Sequence, residues 1–198
     1  MQLIDLLEVC LTSDKYSFVP HLSAISLMLA RAIADSNPEM KQRAALFTGK
    51  LCRELPDKVG VYMQLSVQAL AANLTHQHSK VRKVTLQGLK DVIVARGAEH
   101  FIKDALSQLR LSMNDRSADV RGVFYEVLRH WMTFMEIQSL KVFEESFVLF
   151  LLNGLSDEQG DISGQCRDFL EEHGRRMREA LQMLHEEDSA SNQSMSQL

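Results

Sequence analysis

An all-α solenoid of stacked helical hairpins is the fold this sequence predicts, and three observations predict it. One apolar pattern recurs four times: a Leu, an apolar residue four positions on, then seven positions later an apolar residue that opens the next helix, usually beside a basic one. The copies are Leu29/Ile33/Met40-Lys41, Leu70/Leu74/Val81-Arg82, Leu109/Met113/Val120-Arg121 and Leu151/Leu155/Ile162-Ser163. The opening positions lie 41, 39 and 42 residues apart, near the roughly 40–47-residue period of HEAT and armadillo repeats. Composition agrees: 45% of the residues are hydrophobic, and only 3 Pro and 9 Gly interrupt a chain of 198, which suits helices around a continuous core. About four HEAT-type hairpins are expected. Each buries one face internally and needs a neighbour to cover the other, so the stack is a surface for holding proteins.

The elements follow in order. Residues 1–14 read as a remnant helix of a preceding repeat, amphipathic through Leu3, Leu6, Leu7 and Cys10. It carries no polar cap of the kind that ends a solenoid, so a piece or short form of a longer repeat protein is expected. The array then spans 15–184 in four units, about 15–56, 57–97, 98–136 and 137–184. In the first, a helix from Val19 to Ala34 carries Pro20 in its opening turn, and Asn37-Pro38 caps and opens the second helix. In the second, Met63, Val67, Leu70 and Leu74 form one stripe and Val81, Val84, Leu89 and Val92 the next, before Gly97 stops the helix. In the third, the stripe Phe101 to Met113 turns at Asn114-Asp115-Arg116-Ser117 into Val120, Phe124, Val127, Leu128 and Trp131. In the fourth, Phe143, Phe147, Phe150, Leu151 and Leu155 precede a turn, and Ile162, Cys166, Phe169 and Leu170 begin the last helix. Trp131 and the Phe143/Phe147/Phe150 run are expected as core between repeats. Residues 185–198 are polar and acidic and read as a disordered tail.

Charge and motifs narrow the function. The net charge of −4 has the wrong sign for a general nucleic-acid binder. It is unevenly spread: Lys80 to Arg129 holds ten basic residues against six acidic, and Glu144 to Asp188 four against twelve. No unbroken apolar run reaches the roughly 18 residues of a membrane span. Cys10, Cys52 and Cys166 form no close pair and read as small buried thiols in a reducing compartment. No P-loop, GxGxxG or nucleophile motif is present. His76 and His78 lack the further ligands a zinc site wants, so no metal, cofactor or catalytic set is expected, and neither is enzyme activity. Asp115 and Asp119 are a carboxylate pair, yet their setting is that of a hairpin turn. We read Asp115 and Arg121 as members of a structural ladder between repeats, with Arg82 in the equivalent place one repeat earlier; the planar guanidinium fork suits that task. Ser163 interrupts this ladder in the fourth unit. Lys80, Lys83 and Lys90 form a candidate basic ridge for an acidic partner.

The turn Thr75-His76-Gln77-His78-Ser79-Lys80-Val81-Arg82, with Leu55-Pro56-Asp57 upstream and Asp115 to Arg121 followed by Trp131 downstream, resembles a segment of the HEAT-repeat dynein axonemal assembly factor family. The likeness covers residues 37–155. The resemblance implies a cytoplasmic, non-catalytic scaffold for preassembly of axonemal dynein arms needed for cilia motility, with dynein heavy or intermediate chains and chaperones as partners; charge and hydropathy lead us to expect neither nucleic acid nor membrane. Read without it, the repeats also suit a general cytoplasmic adaptor of the phosphatase-scaffold or transport-receptor type, or a tubulin-binding array.

Overall fold

The computed structural model describes residues 2–195, with side chains described for 3–179 and 182. The elements are α1 (Gln2–Ser13), a 3₁₀ segment Lys15–His21, α2 (Leu22–Ile33), α3 (Pro38–Glu54), α4 (Pro56–Val59), a 3₁₀ turn Gly60–Tyr62 and α5 (Gln64–Asn73). There follow α6 (Ser79–Ile93), a 3₁₀ segment Glu99–Asp104, α7 (Leu106–Ser112), α8 (Ala118–Phe134), α9 (Ile137–Gly154) and α10 (Gly160–Met195). No strand occurs among the described residues. The chain is an all-α solenoid, and its contacts divide it into two units, residues 1–150 and 151–198.

In the first unit the hairpins α2–α3, α5–α6 and α7–α8 stack in two layers. α2 packs on α5, and α3 on α6, which in turn packs on α8. α1 packs on α3, the place of a second helix without its first. The pairing is parallel within each layer. Ser66 Oγ donates to the Ser26 carbonyl at 3.4 Å and Asn73 Nδ2 to the Ile33 carbonyl at 2.8 Å, both across 40 residues. The core holds Leu29, Ile33, Met63, Val67, Leu70, Val81, Leu89, Val92, Leu109, Val120, Phe124, Leu128 and Trp131, the stripes that the sequence pattern marks, together with Phe47 and Leu51 of α3. Trp131 lies 5.9 Å from the Phe147 ring and Phe143 stacks on Phe147 at 6.2 Å. These rings are the largest apolar payload joining the third hairpin to α9.

Local chemistry sets the boundaries. Asn37 Oδ1 accepts from the Glu39 N–H at 2.8 Å and Pro38 follows as the first helical residue, where its missing donor costs nothing. Gly97 sits at φ +86°, a left-handed conformation an L side chain resists, and it ends the turn after α6. Gly88 allows the closest approach of α3 and α6: a Cβ there would lie 2.7 Å from the Ala45 carbonyl oxygen.

The structure corrects several expectations. The first helix of the opening hairpin begins at Leu22, because Val19 and Pro20 belong to the 3₁₀ segment. In α1 the buried stripe is Ile4 and Leu11, while Leu3 and Leu6 are 53% and 58% exposed and Cys10 is exposed. One stripe of a helix can face α3, and the more apolar one faces outward. Cys52 and Cys166 are buried. Leu155 falls beyond the end of α9 and is exposed. Residues Lys15–Ile33 together are long and apolar enough to match a membrane span, although no unbroken run is. They form two elements joined at His21, and Phe18, Leu22, Leu29 and Ile33 are buried in the stack.

The second unit holds the end of α9 and α10. Ile162 and Cys166 are buried, and burial, then Asp157, pushes the Cys166 thiol up to about 12. α10 runs for 36 residues, roughly 54 Å at 1.5 Å per residue. Its backbone stays helical through 185–195, where the sequence reading places a disordered tail; Glu, Met, Ala and Gln in this stretch are helix formers. Residues 196–198 of that tail lie outside the described residues.

Candidate functional site: stacked turns and the outer helix face

Every hairpin turn is closed by the same device. A side-chain acceptor takes the backbone N–H two residues on: Asp35 from Asn37 at 2.7 Å, His76 from His78 at 3.1 Å, Asp115 from Ser117 at 2.8 Å and Asp157 from Gln159 at 2.9 Å. The acceptors are spaced 41, 39 and 42 residues, the period of the helix-opening positions. His76 replaces the Asp in the second hairpin. Its Nδ1 is the acceptor, so the neutral ring carries its proton on Nε2. Burial, then the charges of Lys41, His78 and Arg82, hold its pKa below the usual histidine value.

The opening basic residues tie these turns together. Arg82 Nη1 donates to the His76 carbonyl at 2.7 Å, and Arg121 Nη1 to the Asp115 carbonyl at 2.7 Å, each bridging six residues of its own turn. Arg82 also crosses to the next turn: Nε donates to Asp115 Oδ2 at 2.6 Å and Nη2 to Oδ1 at 2.7 Å. The two side chains are 7% and 6% exposed, a buried bidentate pair. Burial alone would raise the Asp115 carboxyl. The bonds from Arg82 and the Ser117 N–H, with the charges of Arg82 and Arg116, hold it below its ordinary range. Donating these bonds to Asp115 raises the Arg82 pKa in turn.

The ladder includes the Arg82–Asp115 pair, and Arg121 joins it at the Asp115 carbonyl. Its further members are not in the sequence reading. Lys41, in the register of Arg82, donates to Asn73 Oδ1 at 2.9 Å, and Arg116 Nη2 to the Gln77 carbonyl at 2.9 Å. The Lys41 register was visible as the residue after each opening position; Asn73 gave no such signal. A second rung, Arg53 with the buried Asp91, joins α3 to α6. Trp131 Nε1 donates to the Lys90 carbonyl at 3.1 Å, joining α8 to α6. Ser163 turns back on the Gly160 carbonyl at 3.1 Å.

The ridge lysines share one face of α6. Lys80 is exposed and Lys83 and Lys90 are half-buried. Lys83 is held by Asp119 of α8 at 3.1 Å. His76 and His78 rings lie 5.3 Å apart, and among the described residues no three His, Cys, Asp or Glu side chains gather where a metal ion could sit.

Parallel hairpins locked turn to turn define a helical-repeat solenoid. The family model described as dynein axonemal assembly factor 5-like, TPR repeats, matches residues 1–184, and the chain belongs to that family. The hairpin spacing here exceeds the 34-residue period of a typical TPR unit. The chain is 23% identical over 174 residues to dynein axonemal assembly factor 5 of Xenopus laevis and 22% identical to that of Mus musculus. Each match covers 88% of this chain and 20% of the relative, so the chain spans about a fifth of the length of these relatives. A crystal structure of an engineered protein superposes with a TM-score of 0.58 at 15% identity, covering 74% of this chain and 61% of that one, a likeness of fold.

Proposed function

We propose that this chain is a non-catalytic, cytoplasmic protein-binding scaffold that acts in preassembly of axonemal dynein arms. The observation that carries the reading is the family match over residues 1–184, since the family takes its name from that assembly. The fold supports it: a solenoid offers long faces built from repeated helices rather than an enclosed pocket. In this reading Arg82 and Asp115 hold adjacent hairpins in register, and Lys80, Lys83 and Lys90 on the outer face of α6 meet an acidic partner surface. Dynein heavy or intermediate chains and the chaperones that fold them are the partners.

The test is affinity purification of this chain from the cytosol of ciliating cells, with the retained proteins identified by mass spectrometry. Dynein heavy or intermediate chains with chaperones are expected. A set of partners without dynein would favour a general cytoplasmic adaptor instead.

A further inference from the structure

α3, α6 and α8 form one parallel layer, since Arg53 pairs with Asp91 across 38 residues and Trp131 bonds the Lys90 carbonyl across 41. In the C-terminal half of these helices a row of cationic groups crosses the layer. It begins at Lys50 and Arg53 on α3 and continues to Lys90 on α6. Arg53 is 57% exposed even though it holds Asp91, whose carboxylate is 7% exposed and faces inward. His130 on α8 stands within electrostatic reach of Lys90, Asp91 and Arg53; its Nε2 is buried without a hydrogen-bond partner and burial lowers its pKa, so it flanks the row as a neutral ring. Lys50 and Lys90 have no ion-pair partner among the described residues.

Two nearby carboxylates are engaged within the fold, while Glu126, exposed on α8 one turn before His130, lies on the α8 side of the row. Glu54 pairs with Lys15 at 3.4 Å, and Asp91 with Arg53. Asp119, paired with Lys83, lies in the first turn of α8, away from the row. Leu46, seven residues before Arg53 on the same side of α3, is exposed and offers an apolar contact beside the cations. The row thus runs across the helices, whereas the ridge Lys80, Lys83, Lys90 runs along one of them.

We propose that this row receives an acidic segment of a partner protein in polyproline II form, laid across α3 and α6 with an acidic residue at every third position. The spacing follows from geometry. Packed helices lie about 8–10 Å apart, and a polyproline II chain advances about 3.1 Å per residue with three residues per turn, so every third side chain faces the row and three residues carry the segment from one helix to the next. The proposal rests on the scaffold reading for the partner being a protein, and it names the chemistry of the segment.

The probe is a fluorescent peptide of repeated Glu-Ser-Thr, with a peptide of the same composition and its Glu residues in one block. Anisotropy titrations use the full chain at low and at physiological salt. The spaced peptide is expected to bind about tenfold tighter than the blocked one, and more weakly as salt rises. K50E/K90E should lose about tenfold or more in affinity while melting like the unaltered chain. K58E/K103E, with the same change in net charge, should bind unchanged. Equal binding by K50E/K90E, no saturable binding, or tighter binding of the blocked peptide or of a single-stranded oligonucleotide would overturn the proposal. Dynein recovered from cytosol by a chain that ignores the spaced peptide would sink the row alone. Peptide binding as expected without dynein would sink the assembly reading alone.

Discussion

Arg82 grips Asp115 through two parallel hydrogen bonds of 2.6 and 2.7 Å across 33 residues, with both side chains almost wholly buried. The pair fixes the turn of one hairpin against the turn of the next, and removing one partner leaves the other charge buried. We expect Arg82→Met to cost about 3–5 kcal/mol of unfolding free energy. Arg82→Lys should recover only part of it, because an ammonium cannot match the bidentate geometry. Arg82→Met with Asp115→Asn should cost less than the single change. Urea melts of the unaltered chain, Arg82→Met, Arg82→Lys, Asp115→Asn and the double variant check this, and additive losses in the Arg82→Met/Asp115→Asn cycle would deny the coupling.

Asp115 also gives the fold an acid limit. Its folded pKa is depressed below 3.8, so its contribution is complete above that value and is lost as pH falls through the lower, folded one. Stability of Arg82→Met should therefore fall less steeply in this acid window than that of the unaltered chain.

His76 sets a second window at higher pH. Its folded pKa lies below 6.5, so the folded state prefers the neutral ring. Its contribution is present above 6.5 and is lost as pH falls through the folded value. His130, whose pKa burial also lowers, adds to the same slope. His76→Asp restores the acceptor used by the other three turns. It should keep the fold and flatten the loss of melting temperature between neutral and mildly acid pH. An unchanged slope would show that His76 does not titrate as its turn requires.

The α3–α6 contact depends on a missing side chain. Gly88→Ala would put a Cβ 2.7 Å from the Ala45 carbonyl oxygen, and the helices must part, at about 1–3 kcal/mol. Gly160→Ala meets nothing within 4 Å at the start of α10 and should be neutral or slightly stabilising. Thermal melts of the two variants give the comparison.

Trp131→Phe removes the Nε1 bond to the Lys90 carbonyl and part of the ring packing against Phe147. A loss of about 1–3 kcal/mol is expected, read by denaturant unfolding. A loss near zero would mean that the α6–α8 contact does not need this bond.

Much of this was legible in the chain. The period of the opening residues fixed the hairpins, and the stripes Leu70/Leu74/Val81 and Leu109/Val120/Leu128 gave the core face, since burial must follow the helical repeat. Arg82 and Asp115 stood out as turn residues in register. The partners inside the ladder did not. Asn73 lies in an apolar stripe as a single polar residue, and Asp91 looks like any solvated acid on a basic helix. Their roles come from which helix packs beside them. The face of α1 differs for a similar reason: Leu3, Leu6 and Cys10 form the better stripe, but Ile4 and Leu11 are the buried residues. His76 hid a turn acceptor behind a residue type that suggests metal or proton chemistry.

The most direct test of the assembly reading compares dynein recovery by this chain and by K80E/K83E/K90E from ciliating-cell cytosol, once both are shown to melt alike. The account predicts dynein heavy or intermediate chains with the unaltered chain and a clear loss with the charge-reversed one. Equal recovery by both would remove the ridge as the contact surface, and no dynein with either would contradict the scaffold's proposed place in dynein arm assembly.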